Sequence, residues 1–305
     1  MRLLTLTALC LFACLTSSRS AEPERRVLII GIDGCRPDAL EAARTPHIDR
    51  LIAQGAYFAD TDIREPDATD DADTVSGPGW SNLLTGVWPD KHGVLDNKFT
   101  EPRYEQYPHL FARVKSQRPA ATTASFSTWA PILEKITTQA DIGKNFANAE
   151  KDYARADREA TDACLRQFKE QLPHVTVFYQ GQIDEAGHAH GFHPTVPEYI
   201  AAIEQVDTNV GDVLKAIDAQ PEEVRRELLV IVCTDHGGLG LSHGGGRKES
   251  DIRRTFLIVS GARARKGRID EETWQVDVVA TALAHLGIEP PAEWGLDGQP
   301  RGLAK

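Results

Sequence analysis

The stretch Val27-Leu28-Ile29-Ile30-Gly31-Ile32-Asp33-Gly34 runs without a polar interruption until it closes on a carboxylate and a glycine. A continuous apolar run of this length, bounded by a turn signal, reads as a strand buried on both faces, with its polar residues at the carboxyl end. Residues 175–179 and 228–233 repeat the pattern. Asp184 and His188 follow the first of these, Asp235 and His236 the second. Shorter runs at 122–126 and 256–259 are further strand candidates, and helical apolar spacing occurs at 48–53, 80–84, 197–217 and 276–286. Strands alternating with helices predict an α/β fold, a doubly wound and mostly parallel central sheet with helices on both faces. In such sheets the ligand crevice lies at the carboxyl ends of the strands, so Asp33, Asp184 and Asp235 are expected to converge there.

The bulk numbers suit that architecture. The 305 residues are 41% hydrophobic and 26% charged, with no internal repeat and no Pro/Ser-rich linker, so residues 21–305 are expected to form one domain. A balance of 34 Lys and Arg against 45 Asp and Glu gives a net charge of −11, which argues against a surface for nucleic-acid polymers. A small anionic substrate stays compatible if bound cations supply local positive charge. The acidic stretch 65–73 reads as a solvated loop.

The chain opens Met1-Arg2, then an apolar run over residues 3–15, then small residues ending Ser18-Arg19-Ser20-Ala21. That order predicts a signal peptide over residues 1–20 and export to the periplasm or medium. Cys14, preceded by Leu11-Phe12-Ala13, also resembles a lipobox, so a lipid anchor there is the alternative. The mature chain has no second stretch of about 18 apolar residues, hence no expected transmembrane span. Of the five cysteines, Cys35, Cys164 and Cys233 would remain after cleavage. Cys35 and Cys233 lie beside ligand candidates and read as small buried apolar side chains, with zinc ligation or a disulfide as alternatives.

Chemistry concentrates in seven positions: Asp33, Ser76, Asp184, His188, Asp235, His236 and His243. Ser76-Gly77-Pro78-Gly79-Trp80 sets a sharp turn, and helical spacing follows it, which places Ser76 at or just before a helix N-terminus. There its hydroxyl would face N–H groups suited to a phosphoryl oxygen. Taken alone, Ser76 reads as a helix cap, because a hydroxyl is a poor nucleophile unless a base or metal activates it. Asp184 and His188 are four residues apart, one turn if helical or within reach across a tight Gly187 loop, Asp235 and His236 are adjacent, and His243 follows a glycine-rich loop. Imidazoles mixed with carboxylates favour zinc over calcium or magnesium, which prefer all-oxygen shells.

These residues also carry a resemblance. The order Gly31-Ile32-Asp33-Gly34-Cys35-Arg36-Pro37-Asp38, Thr45-Pro46-His47-Ile48, the Ser76 turn with Leu84-Thr85-Gly86, Pro89, His92-Gly93 and Asn97, then Asp184 to His188 and Thr234-Asp235-His236-Gly237 resembles the alkaline phosphatase superfamily. Its branch of type I phosphodiesterases and nucleotide pyrophosphatases is the nearest match. The resemblance implies two divalent metal ions, both zinc: Asp33, Ser76, Asp235 and His236 would hold one, and Asp184, His188 and His243 the other. It further implies a covalent intermediate on Ser76 and a phosphoryl contact from Asn97. Ser76 stands where that branch usually has threonine. His243 comes only seven positions after His236, earlier than usual there, and is preferred to His285 or His190. Thr74 is a rival nucleophile.

The resulting expectation is an exported two-metal phosphodiesterase or nucleotide pyrophosphatase acting on a small phosphoester. Phe99, Tyr104, Tyr107 and Trp129 are candidates for an apolar slot that would favour a diester. The alternatives are a phosphomonoesterase, a sulfatase-like hydrolase and a secreted binding protein without activity. Trp80, where a sulfatase signature requires arginine, and His236, where sulfatases carry asparagine, weigh against the second.

Overall fold

A computed structural model describes residues 24–65, 67–147 and 152–304. The expected leader, including Cys14, lies outside the described residues. Among those described, no helix is long and apolar enough to cross a membrane.

Among the described residues nine strands form one sheet: β1 (Arg26–Ile32), β2 (Ala56–Asp62), β3 (Thr123–Ser127), β4 (Ile142–Asn145), β5 (Val175–Gln180), β6 (Leu228–Cys233), β7 (Arg254–Gly261), β8 (Gly267–Arg268) and β9 (Thr273–Trp274). Their order is β4-β3-β5-β1-β6-β7-β2-β8, with β9 also pairing β2. All pairings are parallel except those of β7, which runs against both β6 and β2. The expected mostly parallel sheet is therefore present. The β1 run occupies its middle, flanked by β5 and β6, with Ile32 opposite Gln180 and Gly31 opposite Cys233.

Alternation along β1 divides the core. Leu28, Ile30 and Ile32 pack on one face with Ile48, Phe168, Ile203 and Val210, from helices Pro46–Gln54, Tyr153–Glu170 and Pro197–Asp218. Val27 and Ile29 pack on the other with Trp80, Phe111 and Leu283, from helices Ser76–Thr85, Leu110–Gln117 and Asp277–Leu286. Strands so covered need apolar residues on both sides, which is why β1 reads as a run rather than as alternation.

Helix Ser76–Thr85 lies very close to β1. A Cβ built on Gly31 would fall 2.4 Å from the Trp80 ring, so the indole rests where only a glycine leaves room. The acidic stretch is less solvated than expected. Asp67 and Asp71 are exposed, but the Asp70 side chain is only 6% exposed, between Arg64 and Arg247 at 2.7 Å each, because these guanidiniums close over it.

Replacing Gly31 with alanine should force Trp80 off β1 and destabilise the protein by about 1–3 kcal/mol. Urea unfolding of Gly31→Ala checks this, and an unchanged midpoint would show that the indole can move aside.

Candidate metal centre

Each carboxylate of the constellation enters the crevice from its own element. Asp33 follows β1, Asp235 and His236 follow β6, and Asp184 and His188 lie on helix Gln182–His190 just after β5. Buried Asp157 fixes the start of that helix, accepting from the Gly181 and Gln182 N–H groups at 2.9 Å. Ser76 opens helix Ser76–Thr85 at the position after the N-cap, Val75. Its hydroxyl therefore does not cap the helix, and Oγ lies 3.5 Å from His236 Nε2.

Two groupings result. Around His236 Nε2 stand Asp235 Oδ2 at 3.2 Å, Ser76 Oγ at 3.5 Å and Asp33 Oδ1 at 3.6 Å. Beside them, Asp184 lies 3.4 Å from His188 Nε2 and 3.5 Å from His243 Nε2, and those two nitrogens are 3.0 Å apart. The groupings adjoin, for the His236 and His243 rings stack with centroids 3.7 Å apart. The structure thus brings all seven residues together.

The hydrogen bonds around the centre leave a consistent remainder. His188, His236 and His243 each place Nδ1 2.9 Å from a backbone carbonyl, those of Leu241, Gly237 and Thr74 respectively. A donor is needed at each Nδ1, so the neutral rings carry their proton there and keep a lone pair on Nε2. At Asp33, Oδ2 accepts from Trp80 Nε1 at 2.8 Å and from the Tyr179 hydroxyl at 2.6 Å; at Asp235, Oδ1 accepts from the Gly34 N–H at 3.2 Å. The other oxygens, Asp33 Oδ1 and Asp235 Oδ2, and Asp184 Oδ1 are buried without a hydrogen-bond partner. Buried acceptors without donors are unfavourable, and two imidazole lone pairs 3.0 Å apart repel. Divalent cations would satisfy both, and the mixed nitrogen and oxygen donors suit a transition metal such as zinc.

Without cations the cluster would have to balance itself with protons. Burial, then the charges of Asp235 and Asp184, raises Asp33 well above the usual carboxylate range. Burial likewise pushes Asp235 up to about 6, against the pull of His236. Burial would also raise Asp184, but the hydrogen bond from His188 and the imidazole charges hold it low. The hydrogen bond to Asp184 lifts His188 to about 9. His243, buried and facing His236, falls to about 4. His236 is raised because the three aspartates outweigh its burial.

The remaining candidates fall elsewhere. The Asn97 Oδ1 accepts from the Gly77 N–H at 2.6 Å, which fixes the amide, and the residue is exposed. Thr74 is buried, and its hydroxyl donates to the His243 carbonyl. His285 bonds the Glu227 carbonyl at the amino end of β6, the end of the sheet opposite the centre, and His190 is exposed at a helix end. Cys35 and Cys233 are free buried thiols, raised by burial, and Cys233 Sγ faces the Ile30 carbonyl. Phe99 is buried against Trp129, Tyr104 bonds Ser81 Oγ at 2.7 Å, and Tyr107 lies against Gly295.

Sequence reasoning missed three supports. Tyr179 and Trp80 anchor Asp33, and Gln275 donates to the Asp235 carbonyl. Tyr179 ends an apolar strand beside the crevice and was accessible as a signal; nothing marks Gln275.

A crevice of this kind at the carboxyl ends of a mostly parallel sheet defines an alkaline-phosphatase-like α/β fold. Solved structures agree on the fold. A 2-O GAG sulfatase aligns with a TM-score of 0.72 at 16% identity, over 91% of this chain and 73% of that one. Murine ectonucleotide pyrophosphatase/phosphodiesterase 5, solved in complex with AMP, aligns with a TM-score of 0.66 at 15% identity, over 88% and 96%. Residues 27–254 match the type I phosphodiesterase / nucleotide pyrophosphatase family, and the chain belongs to it. Among curated relatives, ectonucleotide pyrophosphatase/phosphodiesterase family member 1 of Homo sapiens is 25% identical over 69% of this chain and 23% of its own length. Family member 7 of Rattus norvegicus is 23% identical over 77% and 55%. A pyrophosphatase/phosphodiesterase of Schizosaccharomyces pombe is 23% identical over 69% and 44%. The chain thus spans about half or less of the length of these relatives.

A carboxyl whose folded pKa lies above its unfolded value favours folding below the unfolded value, and that contribution is lost as pH rises. At pH 8, above the unfolded value, the metal-free protein should therefore carry a penalty at Asp33. Asp33→Asn should melt higher than the wild type in chelator, by about 2–4 °C per kcal/mol relieved, and gain less on adding zinc. Calorimetry with EDTA and with zinc checks this; a lower melting point in EDTA contradicts it.

Proposed function

We propose that this chain is an exported, two-metal phosphodiesterase or nucleotide pyrophosphatase that works through a covalent phosphoryl intermediate on Ser76. The observation that carries the reading is the gathering of Ser76 Oγ, Asp33 Oδ1 and Asp235 Oδ2 around His236 Nε2, beside the facing His188 and His243 nitrogens. Asp33, Ser76, Asp235 and His236 would hold one ion, and Asp184, His188 and His243 the other, zinc in both cases. Bound there, the pair would lower the pKa of the serine hydroxyl and offset charge on the phosphoryl oxygens.

The chain's own groups supply the rest. Ser76 Oγ gives up its proton and attacks phosphorus, an Oγ–P bond forms, and the bond to the departing oxygen breaks in line with it, that oxygen taking up a proton. Water then cleaves the Oγ–P bond of the seryl phosphodiester, which still carries the second substituent, returning the hydroxyl and releasing the phosphate monoester. Of the first helical N–H groups, Gly77's goes to Asn97 and Pro78 has none, which leaves that of Ser76 for a phosphoryl oxygen. The Asn97 NH2 is the second donor. Family membership supports a diester or pyrophosphate, and the murine relative with AMP supports a nucleotide. The basic, apolar, small-residue order of residues 1–20 supports export, as does the ecto- prefix of the relatives.

Rates on bis-p-nitrophenyl phosphate, p-nitrophenyl phosphate and p-nitrophenyl sulfate test this. The diester should be hydrolysed fastest, and Ser76→Ala should lose at least about 10³-fold in kcat. Faster monoester hydrolysis would overturn the diesterase reading, and full activity in Ser76→Ala would remove the nucleophile.

A further inference from the structure

We infer that Thr74 is a positioning residue, whose hydroxyl locks the segment carrying His243 and so sets that imidazole for one of the two cations. The inference rests on His243 being a ligand, as read above. His243 is followed by Gly244-Gly245-Gly246, a run with no side chains to pack itself into place. Gly244 and Gly245 are exposed, and around Gly245 a Cβ would find nothing within 4 Å. The placement of these two glycines must come from hydrogen bonds.

Thr74 provides them on both sides. Its Oγ1 donates to the His243 carbonyl and accepts from the Gly246 N–H at 2.9 Å, closing over the two exposed glycines. The Thr74 carbonyl accepts from His243 Nδ1 at 2.9 Å, which turns Nε2 toward Asp184 and His188. Asp73 extends the grip, its Oδ1 accepting from the Gly245 N–H. Thr74 stands two positions before Ser76, so the same contacts hold the nucleophile's approach and the last imidazole in one register. A methyl in place of the hydroxyl would leave a buried carbonyl and a buried N–H without partners.

Zinc titration of the full chain against a chromophoric chelator tests this. The wild type should bind two ions. Thr74→Val should keep one at wild-type affinity and hold the other about 10–100-fold more weakly, while Thr74→Ser, which retains the hydroxyl, should bind both like the wild type. Equal affinity for both ions in Thr74→Val and wild type overturns the inference, and so does equal weakening of both, which marks a general loss of structure. If Thr74→Val does not fold, Asp73→Ala should show the same selective weakening at smaller size, and unchanged binding there overturns the inference. A wild type that binds fewer than two ions overturns the metal reading and this inference together.

Discussion

Three carboxylates brought into one buried crevice repel one another, and the surrounding structure is arranged around that repulsion. Asp33, Asp184 and Asp235 lie just past the carboxyl ends of three adjacent parallel strands, Asp184 on the helix that follows β5. At Asp33 and Asp235 one oxygen is tied to protein donors, while the other points inward unpaired. The imidazoles follow the same rule, each spending Nδ1 on a carbonyl and presenting Nε2. A protein seldom buries so many acceptors without donors unless positive charge comes from elsewhere.

The helix that begins with Ser76 is held to this centre along its length. Trp80 reaches under β1 to Asp33. Two residues on, Asn82 joins a buried relay whose direction is fixed at one end. The Val94 N–H donates to His92 Nδ1, so His92 Nε2 must donate to Asn82 Oδ1 at 2.9 Å. Asn82 then donates to Gln275 at 3.1 Å, and Gln275 to the Asp235 carbonyl. The nucleophile's helix and the Asp235-His236 turn are thus joined through side chains with every link satisfied, the arrangement that specifies one geometry.

How much of this was legible depended on what each element buries. β1, β5 and β6 lie under helices on both faces and announce themselves as apolar runs. β2 reads Ala56-Tyr57-Phe58-Ala59-Asp60-Thr61-Asp62, too polar at its end to stand out, and was missed. Helix Tyr153–Glu170 buries mainly Ala156, Ala160, Ala163 and Cys164, small side chains that leave little hydrophobic period among its charges. The constellation was readable because Asp and His at the ends of buried strands are costly unless used. Its supports were less so: Tyr179 closes an apolar strand beside the crevice, but a tryptophan and a glutamine look the same in sequence whether they pack or hold a ligand. Of the four aromatics expected to form a slot, Phe99 is buried against Trp129 and Tyr104 bonds Ser81, while Tyr104, Tyr107 and Trp129 stay half-buried.

The contact of Trp80 with Asp33 makes the molecule its own optical probe. Of the five tryptophans, Trp80 alone is fully enclosed, whereas Trp88, Trp129, Trp274 and Trp294 are partly open to solvent. Its indole sits one hydrogen bond from a candidate ligand, so a change of charge at that carboxylate acts directly on the chromophore. The blue edge of the emission spectrum should therefore follow events at the crevice without any label attached.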